Sequence, residues 1–536
     1  MRMPANIEEI TALRKALEQA QAHTESLRSE VESRDGEIRI LKAERDLYKE
    51  KLRAKERELF GASSEVRVSD QRDFFFNEAE ALAPAADSQP KSKVTVGAHE
   101  RAKRGRKPID PNIPHEVVRV ELPETERVCP VDGAELQEIG VEASEQYHVI
   151  PQQVKVLRTE RVKYACPCCD KGLRLAPMPA RLIPKGILSD DTLAWVISAK
   201  FQDGLPLYRQ AALLARFGGE ISRNTMAGNV NATGLAVQPL INLLQDKLLE
   251  ASVIHGDETD VQVLKEPGRA AQRKSYMWLR ATGSGPPGAG PPGADPPIRL
   301  FTYAPTRSAK FALDLYAGVR PGAVLLTDGY ESYEAVARGY GLVHAGCWAH
   351  ARRGFIKALD ALPKAARTPD QPAAKIIEAI GQLYAIDKAT EALDAAARLV
   401  RRQEHSRPVI DSIEALVLAH LHTVNPESAL GKALHYLTAQ WPKLVRFVDD
   451  GRYPIDNNVC ENAIRPFVVG RRNWLFADTV GGANASANLY SLLQTCAANG
   501  IDEYQYLKEL LVELPKAKAV EDFEALLPWR LATVKR

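Results

Sequence analysis

The stretch Val253–Leu264 constrains this chain most, because it places acidic residues inside a run that otherwise has the pattern of a buried strand. Val253, Val261 and Val263 give the apolar pattern. An unpaired carboxylate such as that of Asp257 would be several kcal/mol unfavourable in a low-dielectric environment. Asp257 therefore requires a partner, and a divalent metal ion is a common partner for clustered carboxylates.

Two later stretches supply further acidic residues. Residues 323–328 have the pattern of a short apolar strand that ends on Asp328, and residues 453–465 that of a capped helix start carrying Glu461. Single acids are common, and Asp456 in particular is explained as the N-cap of that helix. The candidate site is therefore three acids, carried on two strands and one helix.

A strand meander with one acid, a later strand that ends in a second, and a helix with a third form the layout of a ribonuclease-H-like core. In that layout the acids converge on two divalent ions about 3.5–4 Å apart, which activate a nucleophile for phosphoryl transfer. Oxygen ligands select Mg²⁺ or Mn²⁺. A basic flank follows: Arg465 shares a helical stripe with Glu461, and Arg471 and Arg472 come next. Pro466 is expected to end or kink that helix near residue 465.

The N-terminal residues 7–60 contain no Pro and only one Gly. Apolar residues recur there at steps of three and four, with Glu, Lys, Arg and Gln on the flanks, which is the pattern of a coiled coil. The pattern predicts a homo-oligomer, and a single amphipathic helix packed on the rest of the protein is the alternative. Arg34 and Arg45 at seam positions are expected to lower coiled-coil stability.

Residues 61–113 lose this periodicity and are predicted to be a flexible linker. Within the linker, residues 101–107 hold five cations in seven positions. Such a segment fits the minor groove of DNA, where Arg is drawn to the negative potential, with Arg104, Arg106 and Lys107 as candidate contacts. A solvated linker without a partner is the alternative.

Residues 114–186 are predicted to form a small β-rich module that resembles a zinc ribbon. The expected short strands are residues 117–122, 147–150 and 154–157. Cys166 and Cys169 have the spacing that lets both sulfurs reach one tetrahedral ion. The other knuckle holds Cys129, but Asp132 stands where a second Cys is expected. Three interpretations stay open: three thiolates with the Asp132 carboxylate, three thiolates completed by another group, or a ribbon without zinc.

Residues 187–250 have the pattern of helices joined by short loops. Residues 205–226 have the pattern of a helix, a glycine-containing turn and a second helix that starts near Ser222, which is typical of a helix-turn-helix. The second helix would present Arg223 and Asn224 to DNA. A helical hairpin with a purely structural role is the alternative.

The remaining sequence divides into a core in two parts and a helical insertion. The core is predicted at residues 251–347 and 451–500, with the insertion at 348–450 and a helical tail at 501–536. The strands and helices expected in the core and tail are residues 252–264, 275–281, 298–303, 308–316, 330–338, 481–499 and 503–514. Residues 282–297, rich in Gly and Pro, are predicted to be a hairpin loop. The fold class is thus multidomain α+β.

Composition limits the functional classes. A chain of 536 residues is too long for one core, and 45% apolar and 26% charged residues are ordinary for a soluble protein. No apolar run approaches the roughly 18 residues of a membrane span, and no signal peptide is apparent, so we expect a cytoplasmic protein without membrane contact. Seven Cys point to reduced thiols, and a net charge of +2 means that DNA must be bound by local basic patches.

Motifs spread over nearly the whole chain resemble those of a known family. They are Arg57-Glu-Leu-Phe-Gly61, Arg104-Gly-Arg-Lys-Pro108, Tyr164-Ala-Cys166, Leu205-Pro-Leu-Tyr-Arg-Gln210, Asp257-Glu-Thr259, Thr327-Asp-Gly-Tyr330, Cys347-Trp-Ala-His350-Ala-Arg-Arg353, Asp456-Asn-Asn458, Glu461-Asn-Ala-Ile-Arg-Pro466, Gly470-Arg-Arg-Asn-Trp-Leu-Phe476 and Leu526-Leu-Pro-Trp529. On these residues the chain resembles transposases of the insertion-sequence-66 family, a bacterial DDE group.

The resemblance implies that Asp257, Asp328 and Glu461 are the DDE triad, whereas the nearby Asp260 matches no acid of the family. It implies a transposase that binds double-stranded DNA at its element ends, cleaves it with Mg²⁺ or Mn²⁺, and joins the freed 3′ ends to target DNA. Small accessory proteins of the same element are implied partners, and the protein would be on the nucleoid when bound. The alternatives are a nuclease that only hydrolyses, and a catalytically inactive DNA-binding derivative.

Cys347 and His350 follow the second acid with two residues between them. Without a second such pair nearby, packing or DNA contact is the expected use of these side chains rather than zinc binding.

Overall fold

The computed structural model describes residues 7–60, 153–164, 174–283 and 295–531. Several predicted site residues lie outside these ranges: the linker cations Arg104, Arg106 and Lys107, and the candidate zinc ligands Cys129, Asp132, Cys166 and Cys169. Most of the predicted hairpin loop also lies outside. These predictions therefore have no structural test here.

The N-terminal segment forms one long helix, α1 (Ile7–Phe60). This confirms the helix expected from the absence of Pro. Its apolar seam is open to solvent, since the side chains of Leu13, Leu17 and Leu41 are 67%, 60% and 62% exposed. Only its C-terminal end is seen to touch the rest of the protein: the Glu50 carboxylate accepts a hydrogen bond of 2.5 Å from the backbone N–H of Ala429.

The described part of the predicted ribbon module contains two short antiparallel strands, β1 (Lys163–Tyr164) and β2 (Arg174–Leu175). The strand predicted at residues 154–157 is wrong, because residues 153–162 have no regular secondary structure. Val156 is 92% exposed and Leu157 70% exposed. Apolar alternation alone does not form a strand, since the backbone N–H and C=O groups also need partners.

The helical region agrees with the sequence prediction. Its helices are α2 (Asp190–Phe201), α3 (Leu207–Ala215), α4 (Arg223–Ala236) and α5 (Gln238–Leu249). The Ser222 hydroxyl accepts a hydrogen bond of 3.1 Å from the Thr225 backbone N–H, which fixes the start of α4 where the helix-turn-helix pattern placed it. Met226 and Val230 are buried on α4, so this helix is anchored by one face.

A mixed sheet forms the centre of the protein. Its strands are β3 (Val253–Lys265), β4 (Lys274–Ala281), β5 (Arg299–Ala304), β6 (Val324–Thr327), β7 (Val343–Gly346) and β8 (Ala477–Thr479). The strand order is β5-β4-β3-β6-β7, and β8 pairs with the far end of β3. β3, β4 and β5 form an antiparallel meander, whereas β6 and β7 run parallel to β3. The sequence analysis had not identified β7 or β8.

Two helices connect the sheet strands: α6 (Ala309–Leu315), capped by Ser308, and α7 (Glu331–Tyr340). Between β7 and the Glu461 helix lies the predicted helical insertion. It contains α8 (Trp348–Ala361), α9 (Pro372–Ala389), α10 (Ala395–Arg401), α11 (Arg407–Leu421) and α12 (Ala429–Leu444). These helices bury their own apolar cluster, which includes Trp348, Phe355, Leu383 and Leu437. The insertion therefore has a core distinct from those that cover the sheet.

The helix that carries Glu461, α13 (Asn458–Trp474), continues through Pro466. Of the two outcomes predicted at Pro466, an end of the helix or a kink, the first is wrong. An internal proline disfavours a helix by about 3 kcal/mol, but the residues beyond it are packed. Phe467 is fully buried, with its ring 5.3 Å from that of Tyr490 and 5.5 Å from that of Trp474. Burial of this aromatic cluster offsets the lost backbone hydrogen bond.

The C-terminal helices are α14 (Val480–Ala498), α15 (Glu503–Glu513), α16 (Val520–Ala525) and α17 (Pro528–Leu531). α14 covers the edge of the sheet, because the hydroxyls of Ser491 and Thr495 accept hydrogen bonds from the backbone N–H groups of Phe301 and Arg299 on β5. An edge strand satisfied in this way cannot pair with another chain. No helix in the described ranges is long and apolar enough to cross a membrane.

Candidate functional site

The sheet brings two of the predicted acids to one edge. β3 and β6 are parallel neighbours, and His255 pairs with Leu326. Continuing that register by two residues places Asp257 beside Asp328, which directly follows β6. Neighbouring strands are about 4.8 Å apart. Asp257 and Asp328, far apart in sequence, are thus adjacent at the point where β6 ends beside the middle of β3.

Asp257 forms no ion pair among the described residues, although its side chain is partly buried and the charge of Arg353 acts on it. Burial raises the pKa of Asp257 well above its usual range, and the charges of Glu258, Asp328 and Glu461 raise it further. The Asp257 carboxylate accepts a hydrogen bond of 2.8 Å from the Glu258 backbone N–H. Asp257 therefore lies within electrostatic range of both Asp328 and Glu461, and a cation would relieve this repulsion.

Glu258, the next residue, is in a different environment. Its carboxylate forms an ion pair with Arg307 and accepts a 2.6 Å hydrogen bond from the Tyr333 hydroxyl. The Arg307 guanidinium in turn stacks on the Tyr330 ring at 3.6 Å. Although burial raises the pKa of Glu258, these two donors oppose that rise. Glu258 is therefore satisfied by protein groups and has a structural role.

Asp260, the competitor for the first acid, is also paired. Its Oδ1 lies 2.8 Å from Arg471 Nη1, and its Oδ2 lies 3.6 Å from Lys274 Nζ. Arg471 also donates to the Thr259 hydroxyl at 3.1 Å. Two cations neutralise Asp260, so it does not share the unpaired state of Asp257.

Glu461 lies in the first turn of α13 and faces the start of α8. Arg353 forms an ion pair with its Oε2. His350 Nδ1 lies 3.1 Å from Oε1, without hydrogen-bond geometry, and the Cys347 thiol lies 3.9 Å from the same oxygen. Atoms of Cys347, His350 and Glu461 lie within 4.8 Å of one another. The predicted use of Cys347 and His350 is thus refined: both pack against the third acid.

A buried asparagine joins the elements that carry the acids. Asn457 donates its amide to the Gly256 carbonyl at 2.9 Å, and its side-chain oxygen lies 3.0 Å from His255 Nδ1. Its backbone N–H donates to Cys347 Sγ at 3.2 Å. The start of α13 is therefore fixed to the residues that precede Asp257. Sequence reasoning missed this role, although the motif Asp456-Asn-Asn458 was visible.

The N-cap residue of α13 is Asn457, whereas Asp456 was predicted at this position. The Asn457 side chain makes no capping hydrogen bond. Asp456 instead accepts hydrogen bonds from the backbone and the side-chain amide of Asn458, at 3.0 Å and 2.8 Å. The prediction for Asp456 was wrong by one position. The Asn457 side chain is engaged by β3, so Asp456 satisfies the helix start in its place.

The helical insertion also reaches the acids. The Tyr436 hydroxyl on α12 donates a 2.8 Å hydrogen bond to the Asp328 carbonyl. Gly329 has a φ of +89°, and a side chain there would collide with Gln440 of the same helix. Only glycine permits this close approach. The insertion therefore helps to hold the loop that carries Asp328.

The remaining DNA-contact predictions concern exposed side chains. Arg223 and Asn224 are exposed at the start of α4, and Arg472 is exposed near the end of α13. Arg465 lies one turn beyond Glu461 and is partly buried. Arg471 is held by Asp260, as described above. These positions are accessible to DNA to different degrees, and their roles stay predictions.

The acidic site fits a divalent cation. Asp257, Asp328 and Glu461 offer carboxylate oxygens, which Mg²⁺ and Mn²⁺ prefer. Burial and the neighbouring acids raise the pKa of the Asp257 carboxyl, and a bound cation would oppose that rise. A guanidinium, that of Arg353, already supplies positive charge at Glu461.

Comparison with protein families covers most of the chain. The model described as "Transposase IS66 family" matches residues 185–485, and "IS66 C-terminal element" matches residues 491–529. The "zinc-finger binding domain of transposase IS66" matches residues 126–170. "Transposase C of IS166 homeodomain" matches residues 47–118. These segments run from the long helix to the C-terminal helices.

Curated relatives match at similar length. The uncharacterized protein y4qI of Sinorhizobium fredii (strain NBRC 101917 / NGR234) is 31% identical over 89% of this chain and 87% of its own length. The uncharacterized protein y4jD of the same organism is 30% identical over 83% of this chain and 86% of its own length. A third, y4hP, is 29% identical over 90% and 88%. The similarity therefore extends over most of the chain.

Proposed function

The chain belongs to the IS66 family of transposases, and we propose that it is a DDE transposase that cleaves the DNA ends of its own element and joins them to target DNA. One observation carries the proposal: Asp257, Asp328 and Glu461, from two strands and a distant helix, lie within electrostatic range at one edge of the sheet. Titratable groups with perturbed pKa values cluster at functional sites.

We infer that the sheet and its helices form a ribonuclease-H-like core. The support is the strand order β5-β4-β3-β6-β7, with an antiparallel meander followed by two parallel strands. We propose the domain boundaries predicted from the sequence, with the insertion between β7 and α13. Its separate apolar cluster supports treating it as a unit of its own.

Asp257, Asp328 and Glu461 would hold two Mg²⁺ or Mn²⁺ ions. When bound, such ions lower the pKa of an attacking water or 3′ hydroxyl and stabilise charge on the phosphoryl group. The residues of the chain fix where this happens. Asn457 ties the first turn of α13 to β3, while the Tyr436 hydroxyl holds the Asp328 carbonyl. Both contacts orient acids without contributing charge.

The binding modules lie before the core in the sequence. The basic segment with Arg104, Arg106 and Lys107 is proposed to contact phosphates of any duplex, whereas Arg223 and Asn224 on α4 are proposed to contact the element ends. A zinc ion is proposed at Cys129, Asp132, Cys166 and Cys169, because three thiols and a carboxylate are a donor set that zinc accepts. Arg465, Arg471 and Arg472 on α13 complete the proposed DNA contacts.

The exposed seam of α1 supports self-association. A helix of 54 residues with open leucines gains stability by pairing with another copy. Replacing Leu13, Leu17, Leu27 and Leu41 by polar residues is expected to reduce the oligomer. Light scattering would show it, and an unchanged mass would contradict the coiled-coil assignment.

The function is tested with purified full-length protein, Mn²⁺ and labelled element-end DNA. Nicking at the end, followed by joining of the 3′ strand to a second duplex, is the expected result. The variant Asp257→Asn is the matched control, since it keeps the side-chain shape and removes the charge. Cleavage without any joining would instead favour a nuclease that only hydrolyses, and binding without cleavage would favour an inactive DNA-binding derivative.

A further inference from the structure

The helix α8 begins at the edge of the sheet that carries the acids. It follows β7 directly, and β7 is the parallel neighbour of β6. The carboxyl ends of β6 and β7 therefore lie beside the Asp257 region of β3, and α8 begins there. His350 and Arg353, three residues apart on α8, both reach Glu461.

The pair formed by Arg353 and Glu461 is asymmetric. The Arg353 side chain is 46% exposed, whereas that of Glu461 is 12% exposed. Arg353 can therefore turn to solvent, while Glu461 is confined by α8 and α13. The charge of Arg353 also interacts with Asp257, so it lies within reach of the acids as a group.

A metal ion and a guanidinium compete for the same carboxylate. If Glu461 takes part in binding a divalent ion, the positive charge of Arg353 is repelled and its partner is lost. A DNA phosphate offers the alternative acceptor, because guanidinium binds phosphate oxygens in a bidentate, charge-assisted manner. Glu461 would then bind the metal ion, and Arg353 would bind the DNA phosphate beside it.

α8 carries further positive charge on the same face. Lys357 is exposed one turn beyond Arg353, and its charge interacts with His350. Residues three and four apart on a helix share a face. His350, Arg353 and Lys357 therefore form a stripe that leads away from Glu461 along α8, as a nucleic-acid backbone would require.

We propose that Arg353 is a substrate-binding residue of this site: its guanidinium pairs with Glu461 in the metal-free protein and binds a DNA phosphate when Glu461 holds metal. Lys357 extends this phosphate contact along α8. The inference rests on the proposed metal-dependent DNA chemistry of the site. It assigns a DNA-facing role to a helix of the insertion.

The first measurement is Mn²⁺ binding by the full-length protein, monitored by the paramagnetic signal of free Mn²⁺. Removing a competing charge-assisted bond should make Arg353→Ala bind Mn²⁺ about tenfold more tightly than the wild type. Lys375→Ala is the matched control, because Lys375 is an exposed cation at the start of α9, the helix that follows α8 in the sequence. It should leave Mn²⁺ binding unchanged.

The second measurement is binding of a random-sequence duplex with Ca²⁺ or with a chelator, since Ca²⁺ accepts the same oxygen ligands. Arg353→Ala should bind about tenfold more weakly with Ca²⁺ and flatten the salt dependence by about one unit. With the chelator it should bind like the wild type. Arg353→Lys, which keeps the charge, should retain the salt slope, and Lys357→Ala should lose about one unit of slope.

The outcomes separate two failures. If Asp257→Asn and Glu461→Gln leave Mn²⁺ binding intact, the proposed metal site itself is wrong. If those variants lose Mn²⁺ but Arg353→Ala binds it no more tightly than the wild type, only the exchange of Arg353 is overturned. Equal loss of DNA affinity with Ca²⁺ and with the chelator would likewise overturn it, because Arg353 would then contact DNA regardless of metal.

Discussion

Asp257 and Glu461 face the same site from opposite sides and are held in opposite ways. Asp257, within the central strand β3, is partly buried among other carboxyls and accepts one backbone hydrogen bond. Glu461, on α13, is contacted by Arg353, His350 and Cys347. Asp257 on the sheet thus forms no ion pair among the described residues, whereas Glu461 on α13 is paired with Arg353. Bound metal ions would reduce the repulsion around Asp257 and would compete with Arg353 for Glu461.

The difference explains why one insertion can matter to chemistry elsewhere in the chain. α8 and α12 belong to the insertion, yet one supplies Arg353 to Glu461 and the other supplies Tyr436 to Asp328. The sheet fixes the acids in space, whereas the insertion sets their charge balance and loop positions. Both parts therefore contact the acids of the proposed site.

The largest expected effect is the loss of DNA cleavage, and it should be similar for the acids on the sheet and for the acid on α13. Asp257→Asn, Asp328→Asn and Glu461→Gln should each reduce end cleavage by about a thousandfold or more, since each removes a charge that metal-assisted phosphoryl transfer requires. DNA-end binding should stay within a few-fold of wild type. Near-normal cleavage by any one variant would remove that residue from the site and break the comparison.

Stability of the metal-free protein should separate the two sides. Asp257→Asn should raise the free energy of unfolding by about 2 kcal/mol, because it removes a buried carboxyl among like charges. Glu461→Gln should lower it by about 1 kcal/mol, since its partner Arg353 is half exposed and screened by solvent. Thermal denaturation in chelator measures both. Changes of the same sign would show that the two acids are not held differently.

The pH dependence sharpens the same contrast. The pKa of Asp257 is raised well above 3.8, so the folded state binds its proton more tightly than the unfolded state does. The resulting stability is fully present below pH 3.8 and is lost as pH rises through the raised pKa. In chelator, the stabilising effect of Asp257→Asn should therefore grow between acidic and neutral pH. With Mn²⁺ bound, the wild type should no longer lose stability over this pH range. A constant difference across pH would contradict the assignment.

The sequence predicted elements better than contacts. The strand that carries Asp257, the helix start at Ser222 and the insertion were all predictable, because apolar period, capping residues and turn residues act locally. The strand at 154–157 and the helix end at Pro466 were wrong, since pairing partners and the burial of Phe467 decided them. Arg353 was visible only as part of a motif, because its contact with Glu461 depends on how α8 and α13 meet.

The smallest expected effect concerns the contact of the insertion with the sheet side. Tyr436→Phe removes the 2.8 Å hydrogen bond to the Asp328 carbonyl and little volume. A buried hydrogen bond contributes about 1 kcal/mol, so the cleavage rate should fall by about fivefold. The dependence of cleavage on Mn²⁺ concentration should not change. Tyr384→Phe, in the insertion core, is the matched control for loss of a buried hydroxyl. If both variants reduced cleavage equally, Tyr436 would act through the stability of the insertion and not by positioning the loop of Asp328.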